Sequence, residues 1–403
     1  MKVLIYTEEY YPTCAACSYR MQVIADAFIE QGHTVTILTS ARNKDNGSVE
    51  GRQEKILYSP AIRMKKKTTF MRMLNNLSFG FSSLFTSIKA GKADIVIVTS
   101  PPPLSTPFGR FIAKCKRAKI VYDVRDIWPD VALEMGSFTE NSIFCKVFRR
   151  IAKQAYRKAD VISTVSPGKV EKIQNYVKNL HGRKSGPTYI DKVKLVANGF
   201  DETILNDSID QELIKQYQLD RRFTCVYIGN IGLAQGLDSL LTVAQNTKHK
   251  DVQFLLFGMG AEKDTLEEKA KGMENVRFCG VLPHEKVRSL LTAAKISFIP
   301  LKNAKMKDSI PTKIYEALGN GCPVMLMAEG DSCDIVNASG LGKTISPNNQ
   351  ENLTNVFDSM VENYSEYENK KKQAMNLMIE EYSRQTIARR FVNELTATGE
   401  KKI

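Results

Sequence analysis

Phe223-Thr224-Cys225-Val226-Tyr227-Ile228-Gly229-Asn230-Ile231-Gly232-Leu233-Ala234-Gln235-Gly236-Leu237-Asp238-Ser239-Leu240-Leu241 passes from an apolar β-former, through three spaced glycines, into a helical pattern. An apolar run without strict alternation fits a strand buried on both faces, as in a parallel sheet covered by helices. Glycines that follow such a strand let backbone N–H groups approach a ligand, and a helix N-terminus favours an anion. Strand, glycine turn and helix in this order predict a doubly wound α/β unit with its ligand at the carboxyl ends of the strands.

Working outward, the same rhythm continues through the strand-like runs 253–257, 276–279, 296–300 and 324–327. Upstream it is already present at 2–6, 34–39, 94–99, 119–123, 160–165 and 192–197. Two doubly wound domains follow, of about 200 residues each, a size that one core organises. The turn Asn198-Gly199-Phe200-Asp201 divides them, giving expected domains 1–198 and 199–382, with a last helical stretch, 383–403, that could cross back to the first.

The charge divides at the same turn. Residues 1–200 carry net +16 and residues 201–403 net −3, within a total of +13. A strongly basic first half faces something anionic, either nucleic acid or an acidic membrane surface. No apolar run reaches the roughly 20 residues of a spanning helix, and the opening Met-Lys-Val-Leu-Ile-Tyr is too short for a signal-peptide core. A cytosolic protein is expected. Its eight cysteines are scattered, and the lone Cys14/Cys17 CxxC has no second ligand pair, which fits reduced thiols. His33, His181, His249 and His284 show no metal-ligand spacing.

The segment Tyr227 to Leu241 resembles the donor-binding loop of family 4 retaining glycosyltransferases. Phe257-Gly258-Met259-Gly260, Phe278-Cys279-Gly280-Val281 and Ile310 to Val324 follow in that family's order. The first half adds Gly32-His33-Thr34-Val35, Asp126-Ile127-Trp128-Pro129-Asp130 and Val196 to Asp201, so the resemblance covers nearly the whole chain. It implies the GT-B architecture, two Rossmann-like domains facing a central cleft, with acceptor in the first domain and nucleotide sugar in the second. The Asp-Ile-Trp-Pro segment looks most like the bacterial capsule and O-antigen branch that includes N-acetylfucosamine transferases. That branch implies a UDP-sugar donor, a polyprenyl-diphosphate-linked acceptor and a hexosyl or N-acetylaminosugar transfer.

Carried over residue by residue, the resemblance implies a donor site of Gly229, Asn230, Gly232, Gln235, Gly258, Gly260, Cys279, Gly280, Val281, Lys313 and Glu316. Asn230 and Gln235 stand where the family usually has Arg and Lys, so the phosphate charge must be met elsewhere, and Lys313 is the best available cation. Glu316, one helical turn after Lys313, can address the same ligand and by resemblance binds the ribose. Asp308 takes the place of the family's first glutamate: a donor-sugar contact, or a solvated loop acid beside Lys305 and Lys307. In the first domain Asp126 is the polar candidate at the end of a strand, with Arg125 and Trp128 beside it and Ser18 and Arg20 facing the cleft by resemblance. The bland alternative makes Asp126 a helix N-cap and packs Trp128 in the core.

No DxD carboxylate pair follows a strand, so neither a bridging metal nor any other cofactor is expected. Lys313 and helix N-termini would instead stabilise the leaving group. Retention without an enzyme nucleophile implies attack by the acceptor on the face that the diphosphate leaves. Basic residues Lys65, Lys66, Lys67 and Arg72 lead into Phe70, Leu74, Leu77, Phe81 and Phe85 at helical spacing, the pattern of an interfacial helix on anionic lipid. Such a helix would hold the protein peripherally on the inner face of the cell membrane. The alternative is that these apolar residues pack on the sheet. A non-hydrolysing nucleotide-sugar epimerase would share the architecture. Nucleic-acid binding would want aromatics interleaved with arginine on strands, and these aromatics form a helical stripe instead.

Overall fold

In the computed structural model, residues 1–11, 16–46, 51–62, 68–136, 138–181 and 190–397 are described. They form two compact units, one of the described residues up to Asn198 together with those from Arg384 onward, the other Gly199–Ser383.

The first unit is built on a parallel sheet of β1 (Lys2–Tyr6), β2 (Thr34–Ser40), β3 (Lys55–Ser59), β4 (Ile95–Ser100), β5 (Lys119–Val124), β6 (Val161–Thr164) and β7 (Val193–Leu195). The strands lie in the order β3-β2-β1-β4-β5-β6-β7. Leu4 and Tyr6 enter one core and Val3 and Ile5 another, so β1 is buried on both faces of the sheet as an unalternating apolar run should be. The second unit has β8 (Thr224–Ile228), β9 (Gln253–Phe257), β10 (Val276–Gly280), β11 (Ile296–Pro300), β12 (Val324–Met327) and β13 (Gly342–Ile345), ordered β10-β9-β8-β11-β12-β13.

Both sheets therefore reverse winding beside their first strand, between β1 and β4 and between β8 and β11. At such a switch point the loops splay apart and leave a crevice. The sequence reading missed β3 and β13. Both are edge strands, and Lys55-Ile56-Leu57-Tyr58-Ser59 and Gly342-Lys343-Thr344-Ile345 leave one side partly exposed, so neither reads as a buried apolar run.

The last helix, Arg384–Ala397, packs on the helix Ala16–Glu30 of the first unit. Ala388, Phe391, Val392 and Leu395 enter the core around Met21, Ile24, Ala25 and Phe28. Two exposed ion pairs flank the contact, Arg389 with Glu30 at 2.8 Å and Lys194 with Glu394 at 3.4 Å. Where the chain enters and leaves the second unit, Phe200 N–H donates to Tyr382 O at 2.7 Å and a parallel bridge joins Phe200 to Ser383. No described helix is long and apolar enough to cross a membrane.

Candidate functional site

In the second unit the glycine loop after β8 meets the helix Thr312–Gly319, which follows β11, across the switch point. Gly229 adopts a positive φ of 134°, and a Cβ there would stand 2.9 Å from Lys313 Nζ. The backbone conformation thus favours glycine at 229, and a side chain there would have to displace the end of Lys313. Gly258 is constrained by the next loop, since a Cβ at that position would overlap the Gly229 carbonyl. Main-chain bonds lock this contact: Gly229 N–H donates to Phe257 O at 2.8 Å, Ile231 N–H to Met259 O at 2.9 Å and Gly258 N–H to Gly280 O at 2.7 Å. Gly260 packs as closely on the Ile231 carbonyl. Gly258 and Gly260 hold the loop in place, and the Gly280 carbonyl is occupied by the same network.

Of the two helices beside the glycine loop, the one better placed to meet an anion is not the one that the glycine turn leads into. That helix, Asp238–Asn246, opens with an acid, and Asp238 pairs with Lys269 at 2.6 Å. Negative charge in the first turn opposes a second anion there. Thr312–Gly319 has no acid in its first turn, and its N-cap is Pro311, whose ring cannot accept from the first-turn N–H groups. Its N-terminus, together with Lys313, is the positive end that faces Gly229.

Lys313 Nζ donates to Tyr227 Oη at 2.7 Å and lies 4.0 Å from the centre of the Tyr227 ring. Tyr227 Oη in turn donates to Asn230 O at 2.5 Å. Burial pushes the Tyr227 phenol pKa up, so it stays neutral. The ammonium is enclosed although the residue keeps some surface. Burial pulls its pKa down to about 7, against the opposing field of Glu316. Tyr227 was not anticipated as a site residue, since its only sequence signal is its place at the end of a strand before the glycine loop.

Lowered toward neutrality, the Lys313 amine is charged only in part near pH 7, so an anion that needs the ammonium would bind with proton uptake. Affinity for UDP, taken as a probe anion, is expected to fall as pH rises above 7, by up to tenfold per unit, until the lysine pKa of the bound state is reached. Lys313→Arg, which stays charged, should flatten that slope. Calorimetric titration from pH 6.5 to 9 checks this, and a flat wild-type profile would place the ammonium outside the diphosphate site.

Glu316 is half-buried, one turn along from Lys313. Asp308 is buried in the turn between β11 and this helix, whereas Lys305 and Lys307 are exposed, which removes the solvated-acid alternative. Asn230 is exposed, and its Nδ2, like Gln235 Oε1, flanks the space above Gly232. Cys279 is the next-to-last residue of β10 and Val281 follows the strand, its side chain lying open. Burial pushes the Cys279 thiol up to about 11.

In the first unit, two expected ligand-facing residues are interior. Arg20 is buried and its guanidinium is spent: Nη2 pairs with Asp123 Oδ1 at 2.8 Å and Nη1 donates to Val196 O at 2.6 Å. Asp123 also accepts from Ser163 Oγ at 2.7 Å. Arg20 thus ties the helix Ala16–Glu30 to the ends of β5, β6 and β7, because a buried charge must be paired. Ser18 is buried as well. Arg20 points to the strand ends, where it is paired, and Ser18, two residues earlier on the same helix, is enclosed on another side. Cys14 lies outside the described residues. Cys17 is buried, donates to Glu9 Oε2 at 3.2 Å, and has its thiol pKa raised by burial.

Asp126 is half-buried on the bend after β5, and the following helix starts at Asp130 with Pro129 as its cap, so Asp126 is not that N-cap. Arg125 Nη2 donates to Pro101 O at 2.6 Å. Trp128 stands edge-on to Phe148 at 5.3 Å and 6.5 Å from Phe138, in an aromatic cluster and not wholly buried.

Sequence reading missed Glu8. It sits two residues beyond β1, at the switch point, buried, with the Asn76 amide nitrogen turned toward it at 3.1 and 3.0 Å from its two oxygens. Burial raises its pKa to about 7, with Arg42 opposing and Glu9 assisting. An acid just past the first strand was the available signal. Among the described residues no three His, Cys, Asp or Glu side chains converge as metal ligands.

The helix Thr69–Thr86 buries Phe79 in the core, together with Asn75 and Ser83. Asn75 Nδ2 donates to Ile62 O at 2.6 Å, and Ser83 Oγ to Tyr6 Oη at 3.2 Å. Outward stand Phe70, Leu74, Phe81 (60% exposed) and Phe85 (74%), beside exposed Arg72. Core packing therefore does not account for this apolar stripe. Lys65, Lys66 and Lys67 lie outside the described residues.

Comparison with known proteins matches residues 17–179 to the family model "Glycosyl transferase 4-like domain" and residues 209–377 to "Glycosyl transferases group 1". The chain is 22% identical over 377 residues, 88% of its own length and 90% of the relative's, to the Escherichia coli K12 protein "Putative colanic acid biosynthesis glycosyl transferase WcaI". Among solved structures it is similar to HepE of Anabaena in complex with UDP and glucose, with TM-score 0.72, 17% identity, and 98% of this chain and 100% of that one covered. It is also similar to sucrose-phosphate synthase of Thermosynechococcus elongatus, with TM-score 0.81, 14% identity and full coverage of both chains.

Proposed function

The chain belongs to the glycosyltransferases of GT-B type, and from that premise we propose that it transfers a sugar from a UDP-linked donor to a polyprenyl-diphosphate-linked saccharide. The sugar we assign is an N-acetylated deoxyhexosamine, transferred with retention in the assembly of a bacterial surface polysaccharide, capsule or O-antigen. The carrying observation is Lys313, held by Tyr227 over Gly229 at the uncapped N-terminus of the helix that bears Glu316. The Anabaena neighbour's complex with UDP and glucose supports the donor, and the Escherichia coli relative's printed name supports the product class.

In this reading Lys313 and the first-turn N–H groups neutralise the charge that develops on UDP as the C1–O bond breaks. Glu316 accepts from the ribose hydroxyls, and Asp308 is positioned toward the donor sugar. The acceptor hydroxyl attacks C1 on the face that the diphosphate leaves, and its proton passes to a departing phosphate oxygen. Asp126, Arg125 and Trp128 border the acceptor. No metal or other cofactor is assigned, so transfer is expected to continue in EDTA. The test is incubation of screened UDP-sugars with a lipid-linked acceptor, with and without EDTA. Conversion of donor without acceptor would mark an epimerase, and activity restored only by Mg²⁺ or Mn²⁺ would overturn the metal-free assignment.

The outward stripe of Thr69–Thr86 and the net charge of the first half support docking on the inner face of the cytoplasmic membrane. Lys65, Lys66, Lys67 and Arg72 would each contribute on the order of 1 kcal/mol near an anionic surface, with Phe70 and its neighbours inserting. Changing these four cations to glutamine is expected to release the protein from phosphatidylglycerol vesicles while activity on a short-chain soluble acceptor persists. Co-sedimentation equal to wild type would remove this segment as the anchor.

A further inference from the structure

We propose that Ile143, Phe144 and Val147 form the seat of a prenyl tail whose diphosphate is met by Lys146 and Arg150, an inference that rests on the lipid-linked acceptor proposed above. Ile143 is 77% exposed and Phe144 42%, in the first turn of the helix Ile143–Lys158, with Val147 on the next turn. The same helix buries Cys145, Phe148, Ala155 and Tyr156, so its apolar first turn is surplus to core packing.

Two features separate this cap from a chance apolar surface. The first is its connection to the acceptor end of the sheet. Phe144 lies 5.7 Å from Phe138, and Phe138 lies 6.5 Å from Trp128, two residues beyond Asp126. The second is charge. Lys146 and Arg150, one turn apart, are exposed on the strip adjoining Ile143 and Val147, and Arg149 beside them sits 3.6 Å from Glu140. An apolar cap edged with cations suits an amphiphile with an anionic head. Three side chains on two turns of one helix, joined through Phe138 to Trp128, suit one prenyl chain better than a broad lipid surface, which the longer stripe of Thr69–Thr86 fits.

Trp128 is the only tryptophan of the chain, so its emission reports on this cluster directly. The full-length protein would be titrated with geranylgeranyl diphosphate, below its micelle concentration and without vesicles. A saturable shift in Trp128 emission is expected, with geranylgeraniol at least tenfold weaker and inorganic pyrophosphate silent. Ile143→Ser with Phe144→Ser should weaken the diphosphate at least tenfold and leave UDP affinity and melting temperature unchanged. Should that pair lower the melting temperature, Lys146→Gln with Arg150→Gln reads the same seat through its head group, with the same loss expected.

Unchanged affinity in both pairs overturns the proposal, as does a wild-type response that appears only on phosphatidylglycerol vesicles, which would make the cap a bulk membrane contact. Saturable binding by a protein that transfers to no lipid-linked acceptor would sink the proposed activity and keep the seat. Transfer to such an acceptor with an unaltered KM in both pairs would do the reverse.

Discussion

Glu316→Ala is expected to weaken UDP binding by roughly 10- to 150-fold, the equivalent of the about 1.5–3 kcal/mol carried by hydrogen bonds to a charged group. Two losses add in one direction. The carboxylate that would accept from the ribose is gone, and with it the field that holds the Lys313 pKa up against burial. The lysine should then be less charged at neutral pH, so the loss should widen as pH rises. Glu316 is half-buried and points away from the core formed by Ile314, Tyr315, Ala317 and Leu318, so the melting temperature should move little. Isothermal titration with UDP beside a thermal melt decides the matter. Wild-type affinity in a folded Glu316→Ala protein would remove the residue from the donor site.

Asp123→Ala should be the most destabilising single change in the first unit. It leaves the Arg20 guanidinium buried with no counter-charge and takes the acceptor from Ser163 Oγ. Removing one partner of a buried pair costs about 3–5 kcal/mol, and for a unit of this size each kcal/mol moves the transition by about 2–4 °C. A drop of roughly 6–20 °C is expected in the transition of this unit. Replacing both partners with apolar residues, Arg20→Met with Asp123→Leu, should recover much of it. A single-mutant shift below about 2 °C in differential scanning calorimetry would show that the pair contributes little.

The buried strands were readable because a parallel strand covered on both faces must be apolar almost throughout, as Val3 to Tyr6 and Val324 to Met327 are. Edge strands escape that requirement, and β3 and β13 left no comparable trace. The glycine loops were legible for a related reason. Gly229 has a positive φ that favours glycine, and Gly258 sits where any Cβ would strike the Gly229 carbonyl. Side-chain direction was not legible. Ser18 and Arg20 lie on the expected helix yet are buried, Arg20 against the strand ends, and nothing local distinguishes a buried direction from an open one.

Sequence alone determined two parallel α/β units, the position of the divide at Asn198, the glycine loops and the basic first half, since these follow from apolar runs, glycine spacing and charge. Only the tertiary structure decided which helix N-terminus meets the glycine loop, that Tyr227 holds Lys313, that Arg20 is locked to Asp123 across 103 residues, and that Phe81 and Phe85 face outward. The physical reason is common to all four. Each depends on the direction of a side chain between elements distant in the chain, and a pattern along one element records which residues can be buried but not what they will meet.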